Sequence, residues 1–263
     1  MDKLSQLKSI LRGYGKVAVA YSGGVDSTFL LKVAHDELGD KAIAITSRSL
    51  LNLESDFLAS KKWAEEEGVS QLVVRANELE FPGFAQNPPD RCYICKKALF
   101  AEVKKIAQDA LPGSVVVDGS NVDDQSDYRP GTKALKELEV KSPLLEAGLT
   151  KAEIRALSRE LGLPTWDKPS AACLASRFPY GDTITAEGLE RVAAAEEVLH
   201  RAGFDYVRVR VHGQIARIEV PPEQIVDFAR RREEVVPKLR ALGFAYVALD
   251  LEGYRTGSLN ELL

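Results

Sequence analysis

The chain has 263 residues, of which 45% are hydrophobic and 28% are charged, so it can bury a large core without a disulfide framework. Its 35 basic and 39 acidic residues give a net charge of −4, which argues against a protein that binds nucleic acid through bulk positive charge. The sequence shows neither a signal peptide nor an apolar run long enough to span a membrane, so we expect a cytoplasmic protein.

The first two thirds of the chain alternate short apolar runs with segments of helical period. The apolar runs are 17–21, 42–46, 72–75 and 115–118, and the helical segments between them are 26–38, 55–67 and 96–110. Near-continuous apolar character is typical of strands that are covered by helices on both faces. The order therefore predicts an α/β fold, a doubly wound parallel sheet. The capping-box spacing of Thr150 and Glu153 predicts a further helix that ends near Gly162.

The pattern changes after a proline-containing segment of irregular sequence, residues 163–182. Beyond it, a helix, a hairpin of two strands, a helical stretch and a last strand are predicted at 186–201, 206–211 with 215–220, 221–242 and 245–251. This order predicts a smaller C-terminal α+β domain with an antiparallel sheet. We expect the domain boundary between residues 165 and 182, and we divide the chain into 1–170 and 171–263.

The sharpest motif, SGGVDS, directly follows the first predicted strand and opens the first helix. Adjacent glycines let successive N–H groups point at one place, and a helix N-terminus attracts anions, so the motif suits a phosphate. The alternative is an ordinary cap at the start of a helix. The string resembles the PP-loop of ATP pyrophosphatases, which cleave ATP between its α and β phosphates. This resemblance implies that the leaving pyrophosphate is held by Ser22, Gly23, Gly24, Asp26 and Ser27.

Three further observations concern the nucleotide. A carboxylate within a phosphate loop would repel its ligand unless a cation lay between them, so Asp26 implies Mg²⁺. Thr46 and Gly119 lie at predicted strand ends, where a doubly wound sheet binds nucleotides, although both also suit ordinary turns. Asp124 and Arg129 follow the fourth strand and could either reach the ligands or stabilise their own loop.

The chain contains three cysteines, an odd number that leaves at least one thiol without a disulfide partner. Cys92 and Cys95 form a C-x₂-C pair just ahead of the helix predicted from Lys96, and Cys173 lies in the irregular segment. Such a pair occurs in zinc, iron–sulfur and redox sites, and zinc would need a fourth ligand that is not evident. Three thiolates suit a [4Fe–4S] cluster with one open iron, although incidental cysteines are an alternative.

Four strings between residues 22 and 181 occur in the same order as in the LarE-type sulfur transferases, and the resemblance extends over the whole chain: SGGVDS, PPDRCYICK, DGSNVDD with a following YRPG, and KPSAACLASRFPYG. The resemblance implies an enzyme that uses ATP to adenylate a pyridinium carboxylate mononucleotide and then installs sulfur as a thiocarboxylate, releasing AMP and pyrophosphate, in the biosynthesis of the nickel-pincer nucleotide cofactor. It assigns ATP pyrophosphatase chemistry to residues 1–170 and sulfur transfer to 171–263. It also implies a homo-oligomer, such as a hexamer.

The resemblance further implies roles for particular residues. Asp26 and Cys173 would be catalytic, and Cys92, Cys95 and Cys173 would hold a [4Fe–4S] cluster that delivers sulfide. The internal alternative is a member in which Cys173 gives up its own sulfur. Arg208 and Arg210, which are expected to share one face of a strand, would clamp the phosphate of the mononucleotide, and a solvated strand face is the alternative.

Several neighbouring residues carry weaker expectations. Arg177 and Tyr180 could frame the loop of Cys173, whereas Glu196, Glu219 and Asp227 are expected on a solvated surface. Three rival functions stay open from the sequence: tRNA 2-thiolation, nitrogen transfer by an amide-forming synthetase, and non-catalytic binding of an adenine nucleotide. Net acidity disfavours the first, and the three cysteines would have no purpose in the second.

Overall fold

A computed structural model of the protein describes residues 2–125, 130–169, 173–255 and 258. The chain forms two compact units. One comprises Met1–Asn77 and Asp90–Ala171, and the other comprises Glu78–Pro89 and Ala172–Leu263. The chain thus enters the second unit briefly at residues 78–89 before it returns to the first. The assignment of separate chemistry to 1–170 and 171–263 stays a prediction.

The first unit contains a parallel sheet with helices on both faces. Its strands are β1 (Val17–Ala20), β2 (Ala42–Arg48), β3 (Gln71–Arg75) and β4 (Val115–Val117). Its helices are α1 (Lys3–Tyr14), α2 (Val25–Leu38), α3 (Glu54–Glu66), α4 (Arg91–Ala110), α5 (Gly131–Glu137), α6 (Pro143–Glu146) and α7 (Lys151–Glu160). The strand order is β3-β2-β1-β4, with every pair parallel.

Alternate residues of the strands enter two separate cores. Val17 and Val19 of β1 pack in a buried cluster with Phe29 of α2, whereas Ala18 joins a second cluster with Phe100 of α4. Because neighbouring residues of a strand point to opposite faces, both faces of the sheet are covered. The predicted doubly wound α/β fold is confirmed.

The second unit contains a smaller sheet that is mixed. Its elements are α8 (Ala186–Arg201), β5 (Arg208–His212), β6 (Ile215–Glu219), α9 (Ile225–Arg230), α10 (Arg232–Ala241) and β7 (Tyr246–Leu249). Strands β5 and β6 form the predicted antiparallel hairpin, but β6 and β7 are parallel. The expectation of a purely antiparallel sheet is therefore wrong. The physical reason is the helical crossover of α9 and α10, which brings the chain back in its original direction.

Residues 78–89 are fixed within the second unit by Asn87. This side chain is fully buried, and its Nδ2 donates to the carbonyl oxygens of Phe178 at 3.2 Å and Pro179 at 2.6 Å. Its own carbonyl accepts a hydrogen bond from the N–H of Gly181 at 2.9 Å. Asn87 also adopts a φ of 53°, in the left-handed region that asparagine tolerates better than most residues. The segment is therefore an integral part of this unit.

Some element boundaries differ from those predicted. Helix α4 begins at Arg91, so Cys92 and Cys95 lie within it, at its second and fifth positions, and not ahead of it. Strand β2 continues to Arg48, so Thr46 lies inside the strand and not at its end. Helix α7, in contrast, starts after the predicted Thr150 cap with both hydrogen bonds of the capping box. Among the described residues, no helix is both long and apolar enough to cross a bilayer.

Candidate active site

The SGGVDS loop connects β1 to α2 beside the end of β4, where the strand order of the sheet changes direction. Open α/β sheets bind ligands at such a point. Gly23 has a φ of 71°, and a Cβ added to it would lie 2.8 Å from the Cβ of Ser60. A side chain is thus excluded by both conformation and space. The tight turn that the two glycines predicted is present.

Hydroxyl groups stabilise the loop from within. The N–H of Ser22 donates to Oγ of Ser27 at 3.2 Å, and the two hydroxyl oxygens are 3.1 Å apart. Oγ of Ser27 also donates to the carbonyl oxygen of Gly24 at 3.2 Å. The first helical hydrogen bond runs from the N–H of Thr28 to the same carbonyl, at 3.0 Å. The N–H groups before that bond belong to the open end of the helix, which is the group of donors that binds phosphate.

Asp26 lies in the first turn of α2 and is contacted by two other segments. Its carboxylate forms an ion pair with Nζ of Lys151, and Nδ2 of Asn121 donates to it at 3.3 Å. A Cβ added to Gly119 would lie 3.2 Å from the Cβ of Asp26 and 3.1 Å from the backbone N of Ser27. The structure therefore brings Gly119 against the loop, and its role in nucleotide binding stays a prediction.

Two other residues predicted to bind the nucleotide, Thr46 and Asp124, form hydrogen bonds with neighbouring protein groups. The hydroxyl of Thr46 is buried and accepts a hydrogen bond from Nε2 of Gln71 at 2.7 Å. Oδ2 of Asp124 accepts one from the N–H of Asn121 at 3.0 Å, which is a loop-stabilising contact. Arg129 lies outside the described residues. Roles for these residues in nucleotide binding stay predictions.

Sequence reasoning missed two lysines at this loop. Besides the contact of Lys151, Nζ of Lys168 donates to the carbonyl oxygen of Gly23 at 3.0 Å and lies 2.9 Å from Oδ1 of Asp56. One signal was present, because Lys151 is the first residue of a helix, where the helix dipole disfavours a positive charge. A cation in this unfavourable position indicates a purpose other than helix stability.

None of the three cysteines forms a disulfide, and the residues Cys92 and Cys173 are exposed. Cys92 and Cys95 are three residues apart in one helical turn, so they share a face of α4 as two ligands of one metal group would. Cys173 precedes a short 3₁₀ helix, Leu174–Arg177, in the other unit. The described residues contain no group of three or more histidine, cysteine or acidic side chains that could hold a metal ion. The cluster assignment stays a prediction.

The second unit buries two arginine–glutamate pairs. Arg177 donates to Glu196 through Nε at 2.7 Å and Nη2 at 2.8 Å, and Arg210 donates to Glu219 through Nε at 3.0 Å and Nη2 at 2.8 Å. Glu196 and Glu219 are 1% and 0% exposed, so the expected solvated surface is wrong for both, whereas Asp227 is exposed as predicted. The carboxylates are buried because each meets an arginine from another segment.

The pairs also fix the backbone next to Cys173. Nη1 of Arg177 donates to the carbonyl oxygen of Cys173 at 3.3 Å and to Oγ of Ser176 at 2.8 Å, which agrees with the prediction that Arg177 frames this loop. Nη1 of Arg210 donates to the carbonyl oxygen of Ser176 at 2.7 Å. Tyr180, the other residue expected there, is half-buried.

Arg208 and Arg210 share one face of β5 and are both buried, which rules out a solvated strand face. The guanidinium of Arg208 lies 5.3 Å from the ring centre of Tyr254, and its Nη1 donates to the carbonyl oxygen of Val207 at 2.8 Å. Burial, followed by the charge of Arg177, lowers the pKa of Arg208. Withdrawn from water among other arginines, this charge would be stabilised by an anion.

No protein-family model matches the chain. An uncharacterized protein of Synechocystis sp. is 47% identical over 100% of this chain and 98% of its own length. Pyridinium-3,5-bisthiocarboxylic acid mononucleotide synthase of Lactiplantibacillus plantarum is 41% identical over 99% of this chain and 95% of its own length. A tRNA-specific 2-thiouridylase of Azorhizobium caulinodans is 27% identical over 85% of this chain and 69% of its own length. The similarity to the mononucleotide synthase covers both units, and the chain belongs to its family, the LarE-type sulfur transferases.

Proposed function

We propose that this protein is an ATP-dependent sulfur transferase that adenylates a pyridinium carboxylate mononucleotide and converts its carboxylate to a thiocarboxylate, in the biosynthesis of the nickel-pincer nucleotide cofactor. The full-length similarity to the mononucleotide synthase carries this proposal. The phosphate loop at the switch point of the sheet supports ATP as the activating substrate. The lower identity to the tRNA thiouridylase favours a small substrate over tRNA.

The first half of the reaction belongs to the phosphate loop. A carboxylate oxygen of the substrate attacks the α-phosphorus of ATP, a new P–O bond forms, and the bond to the β-phosphate oxygen breaks. Ser22, Ser27 and the N–H groups at the start of α2 hold the departing pyrophosphate and stabilise the charge that develops on it. Asp26 is the carboxylate that would hold Mg²⁺, which supplies positive charge to the phosphates when it is bound.

In the second half, a sulfide nucleophile attacks the carbonyl carbon of the acyl-adenylate. The C–S bond forms, the C–O bond to AMP breaks, and the proton of the attacking HS⁻ is lost to solvent. Cys92, Cys95 and Cys173 would hold the [4Fe–4S] cluster, whose chemistry is to supply this sulfide. The position of Cys92 and Cys95 on one face of α4 and the exposure of Cys173 support this assignment.

Arg208 and Arg210 would bind the phosphate of the mononucleotide. The burial of Arg208 supports the proposal, because a dianionic phosphate would offset the cost of keeping its guanidinium out of water, and Arg210, which Glu219 holds in place, lies on the same strand face. We further propose a homo-oligomer, and light scattering on the purified protein tests it.

Anaerobic purification, followed by iron and acid-labile sulfide analysis and by intact mass after turnover, tests the route of sulfur. The cluster route gives stoichiometric iron and an unchanged polypeptide mass. A mass loss of one H₂S at Cys173, without iron, would overturn the cluster and establish that cysteine as a sacrificial donor. C92A distinguishes the routes again, since activity survives this change only if Cys173 is the donor.

A further inference from the structure

Two ammonium groups reach the phosphate loop from outside it, and each is paired with a carboxylate. Lys151, the first residue of α7, contacts Asp26 inside the loop. Lys168 contacts Asp56 of α3 and the carbonyl oxygen of Gly23. All four charged side chains remain between 23% and 28% exposed, so solvent and ligands can still reach them.

The backbone around Lys151 is held without help from its side chain. The capping box of Thr150 and Glu153 closes the start of α7, and the N–H of Lys151 donates to Oδ2 of Asp123 at 2.6 Å. The ammonium group opposes the helix dipole at this position. The fold therefore positions a cation at the loop although the helix would be more stable without it.

Lys168 is positioned by the same helix. Arg155 of α7 donates through Nη1 to the carbonyl oxygen of Trp166 and through Nη2 to that of Lys168, both at 2.7 Å. Arg159, one turn further on, lies 5.0 Å from the ring centre of Trp166. Helix α7 thus fixes the loop that carries Lys168, and Lys151 is the first residue of the same helix.

The charges of the two pairs cancel. Two lysines and two aspartates give a neutral set, which by itself has no net attraction for a highly anionic polyphosphate. A divalent cation bound with the phosphate chain would be a stronger partner for Asp26, and the ammonium of Lys151 would then be free to contact the phosphate oxygens. Lysine suits this exchange, since its ammonium is a mobile point charge on a flexible stem.

We propose that Lys151 and Lys168 are ligands of the pyrophosphate portion of ATP, kept in position by Asp26 and Asp56 until the nucleotide binds. The inference rests on the proposed function, because it takes ATP as the ligand of the loop. It adds two binding residues that lie outside the SGGVDS motif, and it makes Asp26 a holder of Lys151 as well as a site for a cation.

Calorimetric titration of the full-length protein with pyrophosphate, ATP and AMP tests the inference. K151M and K168M should each weaken pyrophosphate and ATP binding in Mg²⁺ about tenfold to a hundredfold, the value of a hydrogen bond to a charged group, and leave AMP binding unchanged. K32M is the matched control, because Lys32 has a similar exposed fraction of 22% and pairs with Asp36 and Glu67 away from the loop. It should bind all three ligands as the wild type does.

A second arm separates ligand contact from structural damage. In EDTA, D26N should bind pyrophosphate more tightly than the wild type, because the negative charge is gone and Lys151 is free to turn, whereas K151M should bind it more weakly. Unchanged pyrophosphate affinity in K151M and K168M, or an equal loss for AMP, overturns the inference alone. A wild-type protein that binds neither ATP nor pyrophosphate overturns the proposed function as well, and normal binding without sulfur transfer overturns only the proposed function.

Discussion

The buried pair of Arg177 and Glu196 should make R177M one of the most destabilising single substitutions in the second unit. Arg177 makes two bonds to Glu196, one to the carbonyl of Cys173 and one to Ser176, and both charged side chains are at most 3% exposed. Removing the arginine takes the hydrogen-bonded countercharge from a buried carboxylate and leaves it only the charge of Arg208 nearby, and breaking such a buried pair costs about 3–5 kcal/mol. E196Q removes that charge while its amide oxygen can still accept the N–H of Val209, now 3.0 Å from Glu196. The double variant R177M/E196Q should therefore recover much of the loss.

Amide hydrogen exchange measured by mass spectrometry is the suitable assay. Both tryptophans, Trp63 and Trp166, belong to the first unit, so their fluorescence does not report on the second. R177M should lower the protection of residues 208–212 by about two to three orders of magnitude, and alkylation of the Cys173 thiol should change with it. The reasoning would be refuted if R177M lowered the free energy of unfolding by less than about 1 kcal/mol. It would also be refuted if the destabilisation of the double variant equalled the sum of the two single-variant costs.

Two further predictions concern the first unit. G23A should abolish ATP binding and lower stability by more than the cost of about 1–2 kcal/mol of the left-handed conformation, because its Cβ would meet Ser60. G113A, at a φ of 79° with open space around it, should show the conformational cost alone in thermal unfolding. Hydrogen bonds from Lys3 and Thr150 lower the pKa of Glu153 to about 2 from an ordinary value of 4.5, so its contribution to stability is present above pH 4.5 and is lost as the pH falls toward 2. E153Q should make the melting temperature depend less on pH over that range. An unchanged slope of melting temperature against pH would contradict this.

The sheet and the phosphate loop could be predicted because both depend on local sequence. A strand buried on two faces must be apolar throughout, as in 17–21, and a loop of two glycines before a helix needs no distant partner to be recognised. Helix α1 was missed, because its buried Leu7 and Leu11 form a narrow stripe in a largely polar segment. The direction of β7 was missed as well, since it depends on how the preceding helices return the chain.

The unpredicted parts of the candidate site depend on contacts between distant segments. The local sequence pattern predicts that Glu196 and Glu219 are solvated. They are buried only because Arg177 and Arg210 meet them. Lys151 reaches Asp26 across 125 positions of sequence. A single sequence indicates such a pair only where a charge occupies an unfavourable position. Lys151 is such a case, because it is a positive charge at the start of a helix.

The second unit is built from two separate stretches of the chain, which limits how the two units could have been joined during evolution. A polypeptide cut at residue 170 would separate Asn87 from Phe178 and Pro179, whose carbonyl groups it satisfies. The second unit is therefore not an appendage that one recombination event could add to, or remove from, a free-standing nucleotide-binding protein.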